Sequence, residues 1–295
     1  MKIALLFLLT FTGLGCTAQT TNPLSSNKDD NTLLWEISGN GLTSPSYLFG
    51  TFHLMCKDDI RFSANLRQAI KDVQDVYFEM DLDDPANTFG ALLYMNMKDG
   101  KTLKDLYNDS DYQKLNNYLR DSLQLPTAML EKMKPGFLEA MFYPKMMPCK
   151  NIGSIEEALM KIAKAGKKEI RGFETIAEQA AVFDSIPYET QAKSLLQTID
   201  SLDQYKKYFD TMTRVYLSQD IKAIEGLLSK SEFGMEENRE ALLDNRNRNW
   251  VNQLKKILSE KTIFMAVGAG HLLGENGLIS LLRKQGYQLR PILNQ

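Results

Sequence analysis

Two histidines, three cysteines and two tryptophans in 295 residues leave little material for several familiar chemistries. No His-Glu-x-x-His pair is present, which excludes a zincin-type metallopeptidase. No Gly-x-Ser-x-Gly turn is present either, which excludes the serine nucleophile elbow. Charge of neither sign dominates: 35 Lys and Arg face 37 Asp and Glu, a net −2 with pI ≈ 5.9. The charges are dispersed, so nothing marks a nucleic-acid partner or an anionic membrane surface. No fixed-period repeat or low-complexity tract occurs.

Long hydrophobic runs are also missing. The apolar stretch Ile3 to Leu14, behind Met1-Lys2, is too short to span a bilayer and reads as a signal peptide within residues 1–18. Two exits are open. Leu14-Gly15-Cys16 resembles a bacterial lipobox, with Gly13 where a bulky aliphatic is usual, and would make Cys16 a lipidated first residue. Ordinary cleavage after Ala18 is the alternative. Either way the mature chain is expected in the bacterial periplasm or as an outer-membrane lipoprotein, touching a membrane only through a lipid on Cys16. Residues 19–32, rich in Ser, Asn and Asp, read as a flexible tether ahead of one domain over 33–295. Export also sets the cysteine arithmetic. Beyond Cys16 only Cys56 and Cys149 remain, a pair expected to form a disulfide in an oxidising compartment, against the alternative of two buried thiols.

What the sequence does have is a repeated setting for its two histidines. Tyr47-Leu-Phe-Gly50-Thr-Phe-His53 and Ile263-Phe-Met-Ala-Val-Gly268-Ala-Gly-His271 are each an apolar run that stops at glycine and presents a histidine three residues later. An unbroken apolar run reads as a strand buried on both faces. Glycine then turns the chain at the rim where α/β sheets bind ligands. A lone histidine is more often a satisfied core or turn residue, but two in the same setting point to a shared site.

The rest of the chain fits an α/β fold. Leu33 to Ser38 and Ser46 to Phe49 read as a hairpin. Val76-Tyr-Phe-Glu79-Met-Asp81 reads as a strand ending in acid, and Glu169-Ile-Arg-Gly-Phe-Glu174 as another. Capping boxes open helices at Ser154-Ile-Glu-Glu157 and Thr175-Ile-Ala-Glu178. A central sheet of 46–49, 74–79, 168–173 and 262–267 is expected. Helical insertions over 88–148 and 187–258 would flank it, the second broken near Gly226 and Gly234. The methionines of the first insertion, Met129 and Met133 among them, read as adaptable core filler. Arg246 is the oddity. It lies in the apolar stripe Leu243, Trp250, Leu254, Ile257, and either snorkels or turns its guanidinium into the site.

Gly50-Thr-Phe-His53, Phe78-Glu79-Met-Asp81, Gly172-Phe-Glu174-Thr, Arg246-Asn247 and Val267-Gly-Ala-Gly-His271-Leu-Leu-Gly-Glu275, in this order, resemble the TraB/PrgY/GumN family, which includes the TIKI proteins. The likeness runs from about Leu34 to Ile292. It implies a central mixed or mostly parallel sheet with helices around it and large helical insertions, distantly similar to erythromycin-esterase-like and ChaN-like proteins. It also implies a metal-dependent hydrolase, a peptidase on peptide or protein substrates, with manganese, cobalt or zinc as the divalent ion. His53, His271 and Glu79 would be metal ligands, and Glu79 or Glu174 the general base. Arg246, with Gly50, Gly268 and Gly270, would meet the substrate. Glu275 is a third carboxylate, with a structural role near a helix start as its rival reading. The alternatives are a metal-independent, esterase-like hydrolase using His53 or His271 as base, and a non-catalytic peptide-binding protein.

Overall fold

A computed structural model describes residues 30–81, 83–84, 94–229 and 238–294. The leader, Cys16 and Gly234 lie outside them. Strands β1 (Leu34–Gly39) and β2 (Ser46–Thr51) make the expected hairpin, and β3 (Met55–Cys56) follows at once. Then come β4 (Asp75–Met80), β5 (Ile152–Gly153), β6 (Glu169–Glu174), β7 (Ile263–Gly268) and β8 (Tyr287–Ile292). Six of them form one mixed sheet in the order β6-β4-β7-β2-β1-β8, while β3 and β5 pair separately. The four strands expected at the centre are neighbours and parallel to one another. Only β1 runs against the rest. With helices around this sheet, the chain has an α/β fold.

Burial explains the sequence pattern. Every residue of β2 is buried, as are the first five of β7, so neither strand alternates. That is the behaviour of parallel strands covered on both faces. Because β2, β7, β4 and β6 share a direction, their carboxyl ends share one edge. The residues after Gly50 and Gly268, and the ends of the two acidic strands, therefore meet there. Gly50 is not the end of its strand, as expected, but lies within it, one residue before Thr51.

A helix over Asn245–Glu260 packs on the sheet through Trp250, Val251, Leu254 and Leu258 and leads directly into β7. One π-turn, Glu240–Asp244, precedes it. The expected break at Gly226 is absent, since that glycine sits inside the helix Ile221–Leu228. The helical insertions also do more than flank the sheet. Leu103, Leu115, Leu119, Leu138, Phe142 and Leu195 build a second apolar core of their own. Met97 and Met146 are buried in it, and Met133 and Met141 pack against it, whereas Met129 is exposed.

Cys56 and Cys149 are joined, with Cα atoms 5.9 Å apart. The bridge stands beside the β3–β5 ladder, where Cys56 opposes Ile152 and Met55 opposes Gly153. One short brace thus ties the loop after His53 to the segment that opens the helix Ile155–Ala165. The bond spans 93 residues. Loop-closure entropy for such a span is roughly 4–5 kcal/mol, of which typically about 2–4 is realised. The double variant Cys56→Ser/Cys149→Ser should lose stability on that scale in urea unfolding. Free thiols at Cys56 and Cys149 in mass spectrometry of unreduced protein would contradict the pairing.

Candidate functional site

The carboxyl edge of the parallel strands carries His53, Glu79, Glu174 and His271, with Arg246 reaching in from the helix behind them. Arg246 is the hub. Its Nε donates to Glu174 Oε1 at 2.9 Å, and its Nη2 donates to Glu174 Oε2 at 2.8 Å and to Glu79 Oε2 at 2.7 Å. Nη1 donates to the Leu242 carbonyl at 3.0 Å and to His271 Nε2 at 3.1 Å. A guanidinium has five N–H groups, and all five are engaged here. Leu242 belongs to the π-turn and lies four residues before Arg246. Burial alone would favour the neutral form, but the hydrogen bonds of Glu174 and the charges of both glutamates raise the Arg246 pKa further.

The two glutamates are held differently. Glu174 is 4 % exposed and receives Trp250 Nε1–H at 2.9 Å besides the Arg246 fork. Trp250 in turn lies 4.4 Å from the His271 ring, centroid to centroid, and under the guanidinium at 4.9 Å. Glu79 faces the cleft. Its Oε1 accepts the Gly268 backbone N–H at 2.8 Å and stands 3.7 Å from His271 Nε2. Burial would raise its pKa. The surrounding positive charge (His271 when protonated, then Arg246 and His53) and the Gly268 N–H hold it well below the usual carboxylate range.

A neighbouring amide fixes the tautomer of His271. Asn247 Nδ2 donates to two backbone carbonyls, His271 O at 3.2 Å and Asn276 O at 2.9 Å. Its Oδ1 is therefore the end that meets His271 Nδ1 at 2.7 Å, so Nδ1 carries the proton. Nε2 then presents its lone pair to the site, where Arg246 Nη1–H now points. His271 is fully buried; that burial, with the charges of Arg246 and His53 against the pull of Glu79, lowers its pKa to about 3. It is a neutral imidazole at physiological pH.

His53 is the opposite case. Its side chain is 69 % exposed, and its Nδ1 meets Glu156 Oε1 at 2.8 Å. Partial loss of solvation in the cleft favours the neutral ring, but the hydrogen bond and charge of Glu156, helped by Glu79, raise the pKa to about 9. Water at the exposed edge screens this pair, so the shift stabilises the fold less than an equal shift in the interior. Glu156 is fixed by Thr51 Oγ1–H at 2.5 Å and Ser154 Oγ–H at 2.7 Å. Against the burial that would raise it, these contacts and His53 lower its pKa to about 2.

Glu156 is the residue that sequence reasoning missed. Ser154-Ile-Glu-Glu157 was legible as a capping box, but only half of one forms. Ser154 accepts from the Glu157 N–H as the cap should, while its hydroxyl turns to Glu156. Of the two boxes expected from the sequence, the one at Thr175 and Glu178 forms in full. The remaining expectations divide. Gly268 and Gly270 line the cavity beside the cluster. Gly50 does not: its N–H bonds Leu33 and its carbonyl takes the Tyr216 hydroxyl, so its part is internal packing. Glu275 is exposed, and its recorded contact is a backbone carbonyl taken by Lys284, so it stands outside the cluster.

Three carboxylates against one guanidinium and one imidazolium leave the cluster one net negative charge, a field suited to a cation. The donor chemistry also fits a divalent ion. Each histidine gives its Nδ1 to a partner that fixes the ring, as metal-binding histidines do, and His271 turns Nε2 toward Glu79. A Cβ on Gly268 would lie 3.3 Å from Glu79 Oε1 and 3.6 Å from His53 Nε2, so glycine keeps the space between them open. Among the described residues, however, no three His, Cys, Asp or Glu side chains already stand close enough to hold a metal. Arg246 occupies the His271 lone pair instead. Glu79 and His53 sit between two cavities of about 280 and 250 Å³.

A family model described as the TraB/PrgY/gumN family matches residues 33–291. Among curated proteins the chain is similar to Metalloprotease TIKI1 of Danio rerio, at 26 % identity over 93 % of this chain and 65 % of that protein. It is similar also to Metalloprotease TIKI2 of Xenopus tropicalis, at 25 % identity over 90 % of this chain and 60 % of that protein. Metalloprotease TIKI1 of Homo sapiens is 23 % identical over 88 % of this chain and 61 % of its own. The chain therefore spans less than two thirds of the length of these relatives. No solved structure matches it.

With only two histidines present, ring NMR reads the site without assignment ambiguity. In long-range ¹H–¹⁵N spectra at pH 7, His271 should be the neutral Nδ1–H tautomer and should stay neutral down to pH 5. His53 should be an imidazolium at pH 7 and lose its proton near pH 9. Two rings titrating together near the unperturbed histidine value of about 6.5 would refute the arrangement.

Proposed function

Because the chain belongs to the TraB/PrgY/gumN family, we propose that the carboxyl-edge cluster is the catalytic centre of a metal-dependent hydrolase, a peptidase on peptide or protein substrates in the cell envelope. One observation carries this reading: both imidazoles are held from behind through Nδ1, His271 Nε2 stands 3.7 Å from Glu79 Oε1, and His53 Nε2 and Glu79 Oε1 both border Gly268 at the rim of a cleft. The relatives named metalloproteases support it from outside the structure.

In this reading His53, His271 and Glu79 hold the ion, with manganese, cobalt or zinc as the species. The bound ion supplies a Lewis acid that lowers the pKa of water and polarises a carbonyl. Everything else falls to the protein. Glu156 and Asn247 orient the two rings, and a neutral His53 would keep its Nδ1–H on Glu156 and leave the Nε2 lone pair for the ion. Glu174 and Trp250 fix Arg246, which moves the base role away from Glu174 and toward the cleft-facing Glu79. Arg246 holds Glu79 ionised and offers Nη1–H to a developing oxyanion or a substrate carboxylate. A lone pair serves one partner at a time, so Nη1 would have to give up His271 Nε2 for that nitrogen to hold a metal, and the Glu174 fork would keep the guanidinium in place. The leader read from the sequence and the disulfide are consistent with an exported protein.

A metal-free hydrolase is the second reading. The observation in its favour is the saturated guanidinium, which completes the cluster without an ion. There His271, neutral and with its tautomer fixed, is the base.

Metal dependence decides between the two. Manganese should raise the melting temperature of wild-type protein by mass action, about 2.7 kcal/mol at a hundredfold excess over Kd. His53→Ala and His271→Ala should each remove that shift and abolish peptide cleavage. Cleavage by chelator-treated protein at the wild-type rate, with no melting shift, would favour the metal-free reading.

A further inference from the structure

The cavity of about 250 Å³ on one side of the cluster reaches inward from Gly268 and Gly270. Its walls are Met212 and Tyr216 from the helix Leu202–Leu217, Ile224 and Leu228 from the next helix, and Leu242 and Leu243 from the π-turn. The ionisable lining groups besides Tyr216 are His53, Glu79, Arg246 and His271, the members of the cluster itself. We propose that this cavity is a specificity pocket for one large apolar side chain, Leu, Met or Phe, on the substrate residue that meets the cluster. The proposal rests on the peptidase reading for its substrate class.

Three features support it. First, the polar groups in the walls are already committed. The Tyr216 hydroxyl donates to the Gly50 carbonyl at 2.9 Å, and Thr51 Oγ1 donates to Glu156. A polar side chain entering among Met212, Ile224, Leu228, Leu242 and Leu243, away from the cluster, would lose water and gain no partner, which costs more than the contact returns. Second, the size suits one side chain. Pockets for drug-sized ligands run to about 300–1,000 Å³, so this space is too small for an extended ligand and ample for a leucine or phenylalanine. Third, the far side of His53 and Glu79 differs. The cavity of about 280 Å³ there is lined partly by Ser154, Glu156 and Gln179. A chain crossing the cluster therefore meets an apolar pocket on one side and a more polar one on the other. That asymmetry orders a peptide and places one carbonyl beside the cluster. Gly268 keeps the crossing point free of a side chain that would crowd Glu79 Oε1.

The test uses blocked pentapeptides Gly-Gly-X-Gly-Gly, with X = Ala, Val, Leu, Met, Phe, Lys or Glu, titrated into the full-length protein and followed by NMR. Leu, Met and Phe peptides should bind at least about tenfold more tightly than Ala, Lys or Glu peptides, given roughly 10–200-fold per methylene in a close-fitting pocket. Leu228→Trp narrows the cavity and should bring the Leu-to-Ala ratio to within about twofold. Ile224→Ala widens it and should raise Phe relative to Leu, which keeps the test open if the tryptophan variant fails to fold. Equal affinities across X, no binding at millimolar concentration, or ratios unmoved in folded variants overturn the proposal. Cleavage of the same peptides is scored separately. Side-chain preference without turnover keeps the pocket and removes the peptidase reading, whereas turnover without preference does the reverse.

Discussion

A single guanidinium holds the site together. Arg246 gives all five of its N–H groups to two carboxylates, one imidazole and one carbonyl, in a place where it is only 13 % exposed. Such a buried network is a poor source of net stability, because taking each charge out of water offsets most of the attraction. Its value is positional. Glu79 faces the cleft as a carboxylate because Arg246 stands behind it, and His271 stays neutral partly because Arg246 is cationic beside it. The planar fork also sets directions that a lysine could not.

The strands make this arrangement possible without unusual folding. Parallel neighbours lie ~5 Å apart, so side chains at adjoining ends meet directly. The sheet order places β4 between β6 and β7, and so puts Glu79 between Glu174 and the loop of His271. The disulfide and the β3–β5 ladder perform the matching task for His53 by fixing its loop to the start of the Glu156 helix. Two histidines in the same local motif thus reach opposite charge states. One is paired with a carboxylate at the cleft mouth, and the other is buried against an amide and a guanidinium.

Much of this was legible in the residues. Unbroken apolar runs gave the central strands because strands covered on both faces have no polar side to alternate. Arg246 declared itself by interrupting an apolar stripe, and the cysteine pair by being the last one left. Other parts had no sequence signature. Glu156 lies inside a helix-opening box read on Ser154 and Glu157, and only the turn of its side chain toward Thr51 and His53 reveals its use. Asn247 fixes a tautomer through an amide orientation that no pattern encodes. The break expected at Gly226 is missing because one glycine is tolerated inside a packed helix at modest cost. The separate core of the helical insertion depends on contacts between residues 103–146 and 195–205, which helical periodicity cannot pair.

The central proposal is that His53, His271 and Glu79 would hold a divalent ion in the place that Arg246 Nη1 now takes at the His271 lone pair. Anomalous diffraction at the manganese edge, from crystals grown with the ion, addresses it most directly. The account predicts one anomalous peak bonded by Nε2 of both histidines and by Glu79, with Arg246 still on Glu174 and no longer on His271. A map with no peak there, and Arg246 Nη1 still on His271 Nε2, would contradict it.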